Sequence, residues 1–348
     1  MTRCWGRRPR WLPEWTAGPA FGAIAAPAAA ATPMSYLGGW GSRAYPVVAL
    51  TWESLIVSIV VCIIIALLVA WGVMARRSRS VFGPIGSQPV SHPPRGLKWI
   101  TWGVGISFIP LLVSLVWTVE VLAQVNQPKG AEPFTIEIIG HQWWWEVRYK
   151  DADPHRTFVT ANEIHIPVGH PVRVEVKSDD VIHSFWIPAL GGKMDTIPGQ
   201  TNVTWLEADH AGRYRGQCTE YCGLQHAHMA VFAIADAPTV FAQWWQRQLA
   251  DAPAPATPEA QQGQALFVVK CGACHTVQGT LGQGKVAPNL THLMGRETIA
   301  AGAALNTPAG LAGWIANPQG VKPGTKMPTL YLSGAELKQL RTYLESLK

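Results

Sequence analysis

The stretch Gly216–Met229, GQCTEYCGLQHAHM, gathers metal-binding side chains into a short segment. Cys218, Cys222, His226 and Met229 follow one another at spacings of C-x3-C, C-x3-H and H-x2-M. A disulfide between the two cysteines is one alternative, but it leaves the spaced histidine and methionine unexplained. Thiolate, imidazole and thioether ligands together suit copper better than zinc, magnesium or calcium. The stretch therefore predicts a copper site.

A second imidazole is expected from elsewhere in the chain. Two thiolates in one loop can bridge two metal ions, and such a dinuclear centre would need another histidine. His183, in DDVIHSFWIP, is the candidate because it lies at the end of a predicted strand. In QHAHM, His226 lies four residues beyond Cys222 and suits one ligand per turn, whereas His228 is the alternative.

The residues around this stretch show strand patterns from Phe134 to about Ala237. Runs such as FTIEIIGHQWWWEVRY and EIHIPVGHPVRVEVKSDD alternate apolar and polar residues and are separated by Gly, Pro and Asp. This pattern predicts a small β-sandwich or barrel. The adjacent tryptophans 143–145 cannot all face one side of a strand, so some belong to the core and at least one is a candidate for exposure.

Two uncharged apolar runs precede the strands, at Leu55–Met74 and Trp99–Val119. A bilayer core requires about 20 apolar helical residues, and core helices of soluble domains are usually shorter and polar on one face. We therefore predict transmembrane helices over about residues 50–75 and 98–124. Pro110 in the second run is compatible with a kinked membrane helix.

The link between these helices is basic and predicts their orientation. It contains no acidic residue and carries Arg76, Arg77, Arg79, Arg95 and Lys98. Short basic loops stay in the cytoplasm, so both termini are expected on the periplasmic side of a bacterial inner membrane. Residues 1–45 are expected to be a removable leader, since an arginine-rich start precedes an Ala-rich stretch, or else a disordered tail.

The C-terminal part contains a second cluster, CGACH, with Cys271, Cys274 and His275. C-x-x-C-H is typical of covalent haem attachment, with the histidine as an axial iron ligand. A redox disulfide is the alternative for C-x-x-C alone. Met327, in KPGTKMP, is the expected sixth ligand, and Met294 is its competitor.

Composition divides the rest of the chain. Residues 46–126 are predicted to form the hairpin, 127–245 the β domain, 246–257 a Pro/Ala-rich linker, and 258–348 a small helical domain that ends in a Ser333–Glu336 capping box. Residues 131–250 carry fourteen acidic and nine basic residues, whereas 258–348 carry four and eight. The opposite net charges favour docking of the two domains. Nothing in the sequence indicates nucleic-acid binding.

Residues 45–245 resemble subunit II of haem–copper cytochrome c oxidases. The resemblance rests on GQCTEYCGLQHAHM, HSFWIP, MDTIPGQ and GHQWWWEVRY behind a two-helix hairpin. It implies a transmembrane hairpin and an all-β cupredoxin-like barrel. Residues 258–348, which contain CGACH, separately resemble a class I cytochrome c, so the expected fold is multidomain and ends in a small all-α domain. The subunit II resemblance also implies a dinuclear copper centre, CuA, whose ligands are His183, Cys218, Cys222, His226, Met229 and the carbonyl of Glu220.

The resemblance implies roles for individual residues. Cys218 and Cys222 would bridge the coppers, with Met229 as a weak axial ligand. The Glu220 carboxylate would help hold a magnesium ion at the interface with the catalytic subunit. Trp143 would receive electrons, lying between CuA and the docked cytochrome, with plain core packing as its alternative. One departure is HPPRGLKWITWG, which lacks the glutamate that many members carry near the start of the second helix and leaves that proton route in doubt.

The expected function is to receive electrons from an external donor, such as a cytochrome c or a cytochrome bc complex. They would pass through haem c and CuA to catalytic subunit I, which reduces oxygen, with further oxidase subunits and membrane lipid as partners. No oxygen-reducing site is expected in this chain, because it has no cluster of membrane-embedded histidines. The alternatives are a CuA subunit of a nitric oxide reductase-like enzyme, or a membrane-tethered electron or copper carrier bound to no oxidase.

Overall fold

The computed structural model describes residues 34–76, 96–128, 130 and 132–348. Two long helices come first, α1 (Ala44–Arg76) and α2 (Gly96–Asn126), and both are long and apolar enough to cross a membrane. Each extends beyond the bounds predicted from the sequence. They pack together, and Ser114 Oγ donates a hydrogen bond of 3.1 Å to Glu53 Oε1. Residues 1–33 of the expected leader and residues 77–95 of the basic link lie outside the described residues.

A β domain follows, built mainly from two sheets. The strands are β1 (Thr135–His141), β2 (Trp144–Lys150), β3 (Phe158–Ala161), β4 (Glu163–Pro167), β5 (Val172–Ser178), β6 (His183–Phe185), β7 (Met194–Thr196), β8 (Asn202–Leu206), β9 (Gly212–Gln217) and β10 (Ala230–Asp236). One sheet has the order β3-β2-β1-β5-β8 and the other the order β4-β10-β9, while β6 and β7 form a separate pair. The predicted β architecture is confirmed.

The core of this domain follows from strand alternation and ends in an aromatic layer. In β5, every second side chain from Val172 to Val176 is fully buried, as expected for a strand with one face inward. The amphipathic helix α3 (Pro238–Gln248) closes one end. Its Trp244 and Trp245 pack edge-on against Tyr149 at ring-centroid distances of 5.2 and 5.3 Å. Such aromatic packing gives the barrel a rigid frame.

The C-terminal domain is helical around its own core. Its helices are α4 (Pro258–Lys270), α5 (Pro308–Ala316), α6 (Pro318–Val321) and α7 (Gly334–Glu345), and a short hairpin of β11 (Thr298–Ile299) and β12 (Ala304–Leu305) lies before α5. Helices α4 and α7 cross closely at Gly263, where an added Cβ would lie 2.1 Å from the Gln339 oxygen. The Ser333–Glu336 capping box is confirmed.

The segment that joins the two domains is held by contacts. The Ala252 amide donates to the Gln278 oxygen at 3.1 Å, and Ala252 packs against the core of the helical domain. The helical domain in turn lies against the β domain. One backbone hydrogen bond between them runs from the Ala230 amide to the Ala301 oxygen at 3.0 Å.

Candidate metal centre and haem cavity

The first candidate site is a loop that joins β9 to β10 and closes over the start of β6. Cys218 directly follows β9, and its amide donates to the Met229 oxygen at 3.0 Å. The Thr219 amide donates to the Ser184 oxygen at 3.1 Å, next to His183. Two backbone hydrogen bonds thus hold the loop against the strand end, and together they bring His183 to residues about forty positions later.

Within this loop the predicted donor atoms converge. The Cys218 Sγ lies 3.8 Å from Cys222 Sγ and 3.9 Å from His183 Nδ1. Cys222 Sγ lies 3.5 Å from His226 Nδ1 and 3.9 Å from Met229 Sδ. Both thiols, His183 and Met229 are almost fully buried. This arrangement places two sulfurs at the centre, with an imidazole on each side.

Two neighbouring groups in the same loop differ in their placement. Cys218 Sγ contacts the Glu220 carbonyl oxygen at 3.3 Å, so that oxygen belongs to the cluster. His228 does not join it: its Nδ1 lies 2.6 Å from Gln225 Oε1. The structure therefore brings His226 to the sulfurs and leaves His228 beside a glutamine.

The electrostatics of the two thiols favour a bound cation. A hydrogen bond from Cys222 and a further one with His183 lower the pKa of Cys218 to about 4. The pKa of Cys222 is raised, first because of that same hydrogen bond and also because burial and the neighbouring negative charge oppose a second thiolate. A metal cation removes this repulsion, and a buried set of thiolate, imidazole and thioether donors fits copper.

His183 is oriented by a residue that sequence reasoning missed. Asp180 Oδ1 lies 2.8 Å from His183 Nε2, so Nδ1 is the nitrogen that faces Cys218. Burial lowers the pKa of His183, but its hydrogen bonds with Asp180 and Cys218 outweigh burial and raise the pKa. A carboxylate behind a ligating histidine holds its tautomer and ring orientation. The only signal in the sequence was an acid three residues before His183.

A glycine makes room for the same imidazole. An added Cβ at Gly140 would lie 2.7 Å from His183 Cδ2, too close for any other residue without a shift. Gly140 belongs to β1, which pairs with β5 on one side and β2 on the other. Contact with the His183 imidazole thus explains the glycine of the GHQ motif.

The second candidate site is a cavity in the helical domain. Cys271, Cys274, His275 and Met327 all line it, together with apolar side chains that include Phe267, Leu293, Leu311, Ile315, Leu340 and Leu344. Met294 is not among the residues found to line this cavity. Two cysteines, a histidine and a methionine around one apolar space fit a covalently attached haem.

Hydrogen bonds hold the two expected iron ligands, His275 and Met327, in place. His275 Nδ1 lies 2.7 Å from the Pro288 oxygen, which leaves Nε2 as the nitrogen available to a metal. Burial lowers the pKa of His275, so the ring is held neutral. In the methionine loop, Gln319 Nε2 donates to the Met327 oxygen at 2.9 Å and to the Thr325 oxygen at 2.8 Å. These bonds hold the methionine loop.

Trp143 connects the two candidate sites. Gln142 and Trp143 form the two-residue turn between β1 and β2, so Trp143 leaves the strand alternation assumed from the sequence. Its Nε1 donates to the Cys222 oxygen at 3.0 Å, and Trp143 is also among the residues that line the cavity of the helical domain. The docked domain leaves Trp143 only 8% exposed.

The two following tryptophans are placed differently. Trp144 also lines the cavity and stacks on His141 with ring centroids 4.5 Å apart. Trp145 is fully buried in the β-domain core, with its ring centroid 5.9 Å from that of His183. Core packing therefore accounts for Trp145, whereas Trp143 is the one of these three tryptophans that bonds to the Cys222 oxygen.

Family comparisons agree with this combination of parts. Residues 152–235 match the family described as cytochrome C oxidase subunit II, periplasmic domain, and residues 260–348 match cytochrome c. Cytochrome c oxidase subunit 2 of Alkalihalophilus pseudofirmus is 36% identical over 260 residues, which cover 72% of each chain. The same protein of Bacillus sp. (strain PS3) is 34% identical over 269 residues, covering 72% of this chain and 74% of that one.

A solved structure is also similar over part of the chain. The periplasmic domain of subunit II of cytochrome oxidase of Bradyrhizobium japonicum is 34% identical, covering 34% of this chain and 95% of that chain, with a TM-score of 0.32.

A two-helix anchor that carries a β domain with a copper-type donor set and a cytochrome c domain defines a membrane-bound redox protein. The chain belongs to the cytochrome c oxidase subunit II family. It is accordingly an inner-membrane component of an oxidoreductase complex that includes catalytic oxidase subunits. The subunit II domain implies copper, as CuA, and the cytochrome c domain implies haem c.

Proposed function

We propose that this chain receives electrons from an external donor in its cytochrome domain and delivers them, through its copper domain, to the catalytic subunit that reduces oxygen to water. One observation carries the proposal: Trp143 is among the residues that line the haem cavity, and its indole donates a hydrogen bond to the Cys222 oxygen. When bound, haem c and the copper centre supply one-electron redox chemistry. The protein supplies their separation, orientation and shielding from water.

The copper ligands in this proposal are the groups that converge in the β9–β10 loop. Cys218 and Cys222 would bridge two metal ions, with His183 and His226 beside them. Met229 Sδ and the Glu220 carbonyl would be the weaker ligands. The distances of 3.3 to 3.9 Å among these groups support the assignment.

The haem ligands are the residues that line the cavity. Cys271 and Cys274 would form the covalent attachments, and His275 and Met327 would be the axial ligands. Histidine and methionine ligation gives a relatively high potential, which suits a domain placed directly before copper.

Residues around the ligands limit their motion. Asp180 holds the imidazole of His183, and its Oδ2 accepts from the Gln142 amide at 2.7 Å. Gln142 Nε2 donates to the Cys222 oxygen at 2.7 Å, beside the bond from Trp143. One short hydrogen-bonded chain therefore joins the His183 side chain, the 142–143 turn and the Cys222 backbone. We propose that it keeps the metal geometry nearly constant when an electron arrives.

The proposal extends to topology and partners. The basic link between α1 and α2 would lie in the cytoplasm and both later domains in the periplasm. The external donor would be a cytochrome c or a cytochrome bc complex. The Glu220 carboxylate would help hold magnesium at the catalytic subunit, and oxygen reduction would occur in that subunit rather than in this chain.

The proposal is tested on the full chain assembled in its oxidase complex. Copper and haem per chain are measured, an electron paramagnetic resonance spectrum is recorded, and haem-to-copper transfer is followed after photoreduction of the haem. We expect two coppers that share one unpaired electron, one covalent haem, and transfer between them. A single mononuclear copper, or a reduced haem that does not pass its electron to copper, would reject the proposal.

A further inference from the structure

The cytochrome domain covers Trp143 with two of its own segments. One is the tip of the β11–β12 hairpin, residues 300–303, and the other is the loop 322–326, which leads to Met327. The hairpin was not predicted from the sequence. Both segments face the copper loop, so their contacts determine how the haem cavity lies on Trp143.

The hairpin tip fits the copper domain closely. Its Ala301 oxygen accepts from the amide of Ala230, the residue after Met229, at 3.0 Å. Gly302 has a φ of +82°, and a Cβ added there would lie 2.9 Å from Ala230 Cβ. The tip therefore approaches the copper domain to a distance that only glycine permits without a shift.

Lys322 joins the two segments to Trp143. Its Nζ donates to the Trp143 oxygen at 2.6 Å and to the Ala300 oxygen of the hairpin at 3.0 Å. The residue is only 2% exposed. A single cytochrome-domain ammonium thus binds one carbonyl from each domain, at the turn that holds Trp143.

The burial of this charge distinguishes Lys322 from the other interface lysine. Desolvation lowers the pKa of Lys322 to about 7, so the ammonium depends on the two carbonyl oxygens when the domains are docked. Lys326, by contrast, is 67% exposed and lies 3.4 Å from Asp180. Exposed pairs of this kind contribute little, whereas hydrogen bonds from a buried charge are directional and strong.

We propose that Lys322 is a positioning residue that ties the Trp143 backbone to the cytochrome domain and so sets the rate of transfer from the haem cavity to the copper loop. This inference rests on the proposed function, because it deepens the same path. Lys322 is not among the predicted ligands of either metal site, although it is one of the residues that line the haem cavity. It acts through Trp143 and through the hairpin that lies on Ala230.

The test compares Lys322→Met with Lys338→Met in the assembled oxidase complex. Lys338 is a matched control, since it is 64% exposed and pairs with Glu259 inside the cytochrome domain. Three quantities are measured: the haem-to-copper transfer rate, the reduction potentials of both centres, and the hydrogen-exchange protection of the Ala230 amide, which reports docking of the hairpin.

For Lys322→Met we expect transfer to slow by about tenfold or more, because small displacements of a reacting pair are costly. The Ala230 amide should lose protection. Loss of the buried charge should shift the potentials by too little to account for the slower transfer. Lys338→Met should match the wild type in all three. A Lys322→Met transfer rate equal to that of Lys338→Met would overturn the inference, as would slower transfer with Ala230 protection unchanged or with a potential shift large enough to explain it.

A second variant covers the case in which Lys322→Met does not assemble. Lys322→Gln retains an N–H donor on a shorter, uncharged side chain, and the same three measurements apply with the same expectations. Failure of the proposed function is recognised separately, since wild-type protein would then show no haem-to-copper transfer. Normal wild-type transfer with unaffected Lys322 variants would reject only the inference.

Discussion

The indole Nε1 of Trp143 lies 3.0 Å from the main-chain oxygen of Cys222, although 79 residues separate them in the chain. The same indole lies beside Gly324 of the cytochrome domain, and Trp143 is among the residues that line the cavity of that domain. A hairpin turn on one sheet therefore touches a metal loop on one side and a second domain on the other. Because Trp143 is packed from both sides, its replacement should affect communication between the sites more than the stability of either domain.

Replacing Trp143 by phenylalanine tests this relationship. Trp143→Phe removes the Nε1 donor and shortens the ring that spans the two sites. We expect haem-to-copper transfer to fall by about 10²-fold, since a displacement of about 1 Å in a reacting pair can cost that much. Flash photoreduction of the haem in the oxidase complex measures it.

Trp144→Phe is the matched control, because Trp144 lines the same cavity but stacks on His141. Equal transfer rates for the two variants would show that haem-to-copper transfer depends on the cavity wall and not on the bond to Cys222.

Removing the carboxylate behind His183 should weaken copper binding. Asp180→Asn retains the shape of the side chain but loses the negative charge opposite His183 Nε2, so the imidazole is held less firmly. We expect copper affinity to fall by about 10- to 100-fold. Competition with a copper chelator measures the affinity. Asp179→Asn serves as control because that neighbouring carboxylate is 72% exposed; a comparable loss there would argue for a general charge effect instead.

The crossing of α4 and α7 should be intolerant of a single methyl group. An added Cβ at Gly263 would lie 2.1 Å from the Gln339 oxygen, so Gly263→Ala forces the helices apart. We expect the free energy of unfolding of the cytochrome domain to fall by about 1–3 kcal/mol. Denaturant unfolding followed by haem absorbance measures it.

Gly334→Ala is the paired substitution for that experiment, since nothing lies within 4 Å of an added Cβ there. It should leave stability unchanged or raise it by up to about 1 kcal/mol. If both alanines destabilise equally, helix crossing is not the cause.

The cap of α7 should make its first turn sensitive to acid. Hydrogen bonds from the Ser333 amide and hydroxyl and a contact with Lys270 lower the pKa of Glu336 from 4.5 to about 2. A depressed carboxylate pKa stabilises the fold at pH values above the ordinary pKa, and this contribution is lost as the pH falls towards the depressed value.

Glu336→Gln should therefore reduce amide protection in the first turn of α7 at about pH 7, and its difference from wild type should shrink towards about pH 3. Hydrogen-exchange protection factors measure this. Glu345→Gln, at the other end of the helix, is the control and should leave the first turn unchanged. A difference from wild type that does not depend on pH would contradict the assignment to the carboxylate.

Several parts of the molecule could be predicted from the sequence because local spacing determines them. The two uncharged apolar runs are long enough to span a bilayer whatever they pack against. Alternation of apolar residues is enough to predict strands such as β5. The spacings C-x3-C-x3-H-x2-M and C-x-x-C-H bring together residues that are already close in the chain, so both candidate sites could be outlined from short motifs.

Contacts between distant segments could not be predicted in this way. The β11–β12 hairpin on Ala230 has no periodic or motif signal. Asp180 is close to His183 in the chain, but only the fold turns its carboxylate towards the imidazole. Trp143 was expected to lie on a strand, but it occupies a two-residue turn because β1 and β2 pair closely on either side of it. Its place between the two sites depends on that pairing.

Lys322 is the clearest example of a contact that could not be predicted from the sequence. By its sequence it is one lysine among the basic residues of a positively charged domain, and such side chains are usually exposed. Only docking of the cytochrome domain buries its ammonium between the Trp143 and Ala300 oxygens. The sequence by itself determined which chemical groups the chain carries and which of them are neighbours along it. The tertiary structure decided which carbonyls a buried charge can reach, because burial and hydrogen-bond geometry depend on segments far apart in the chain.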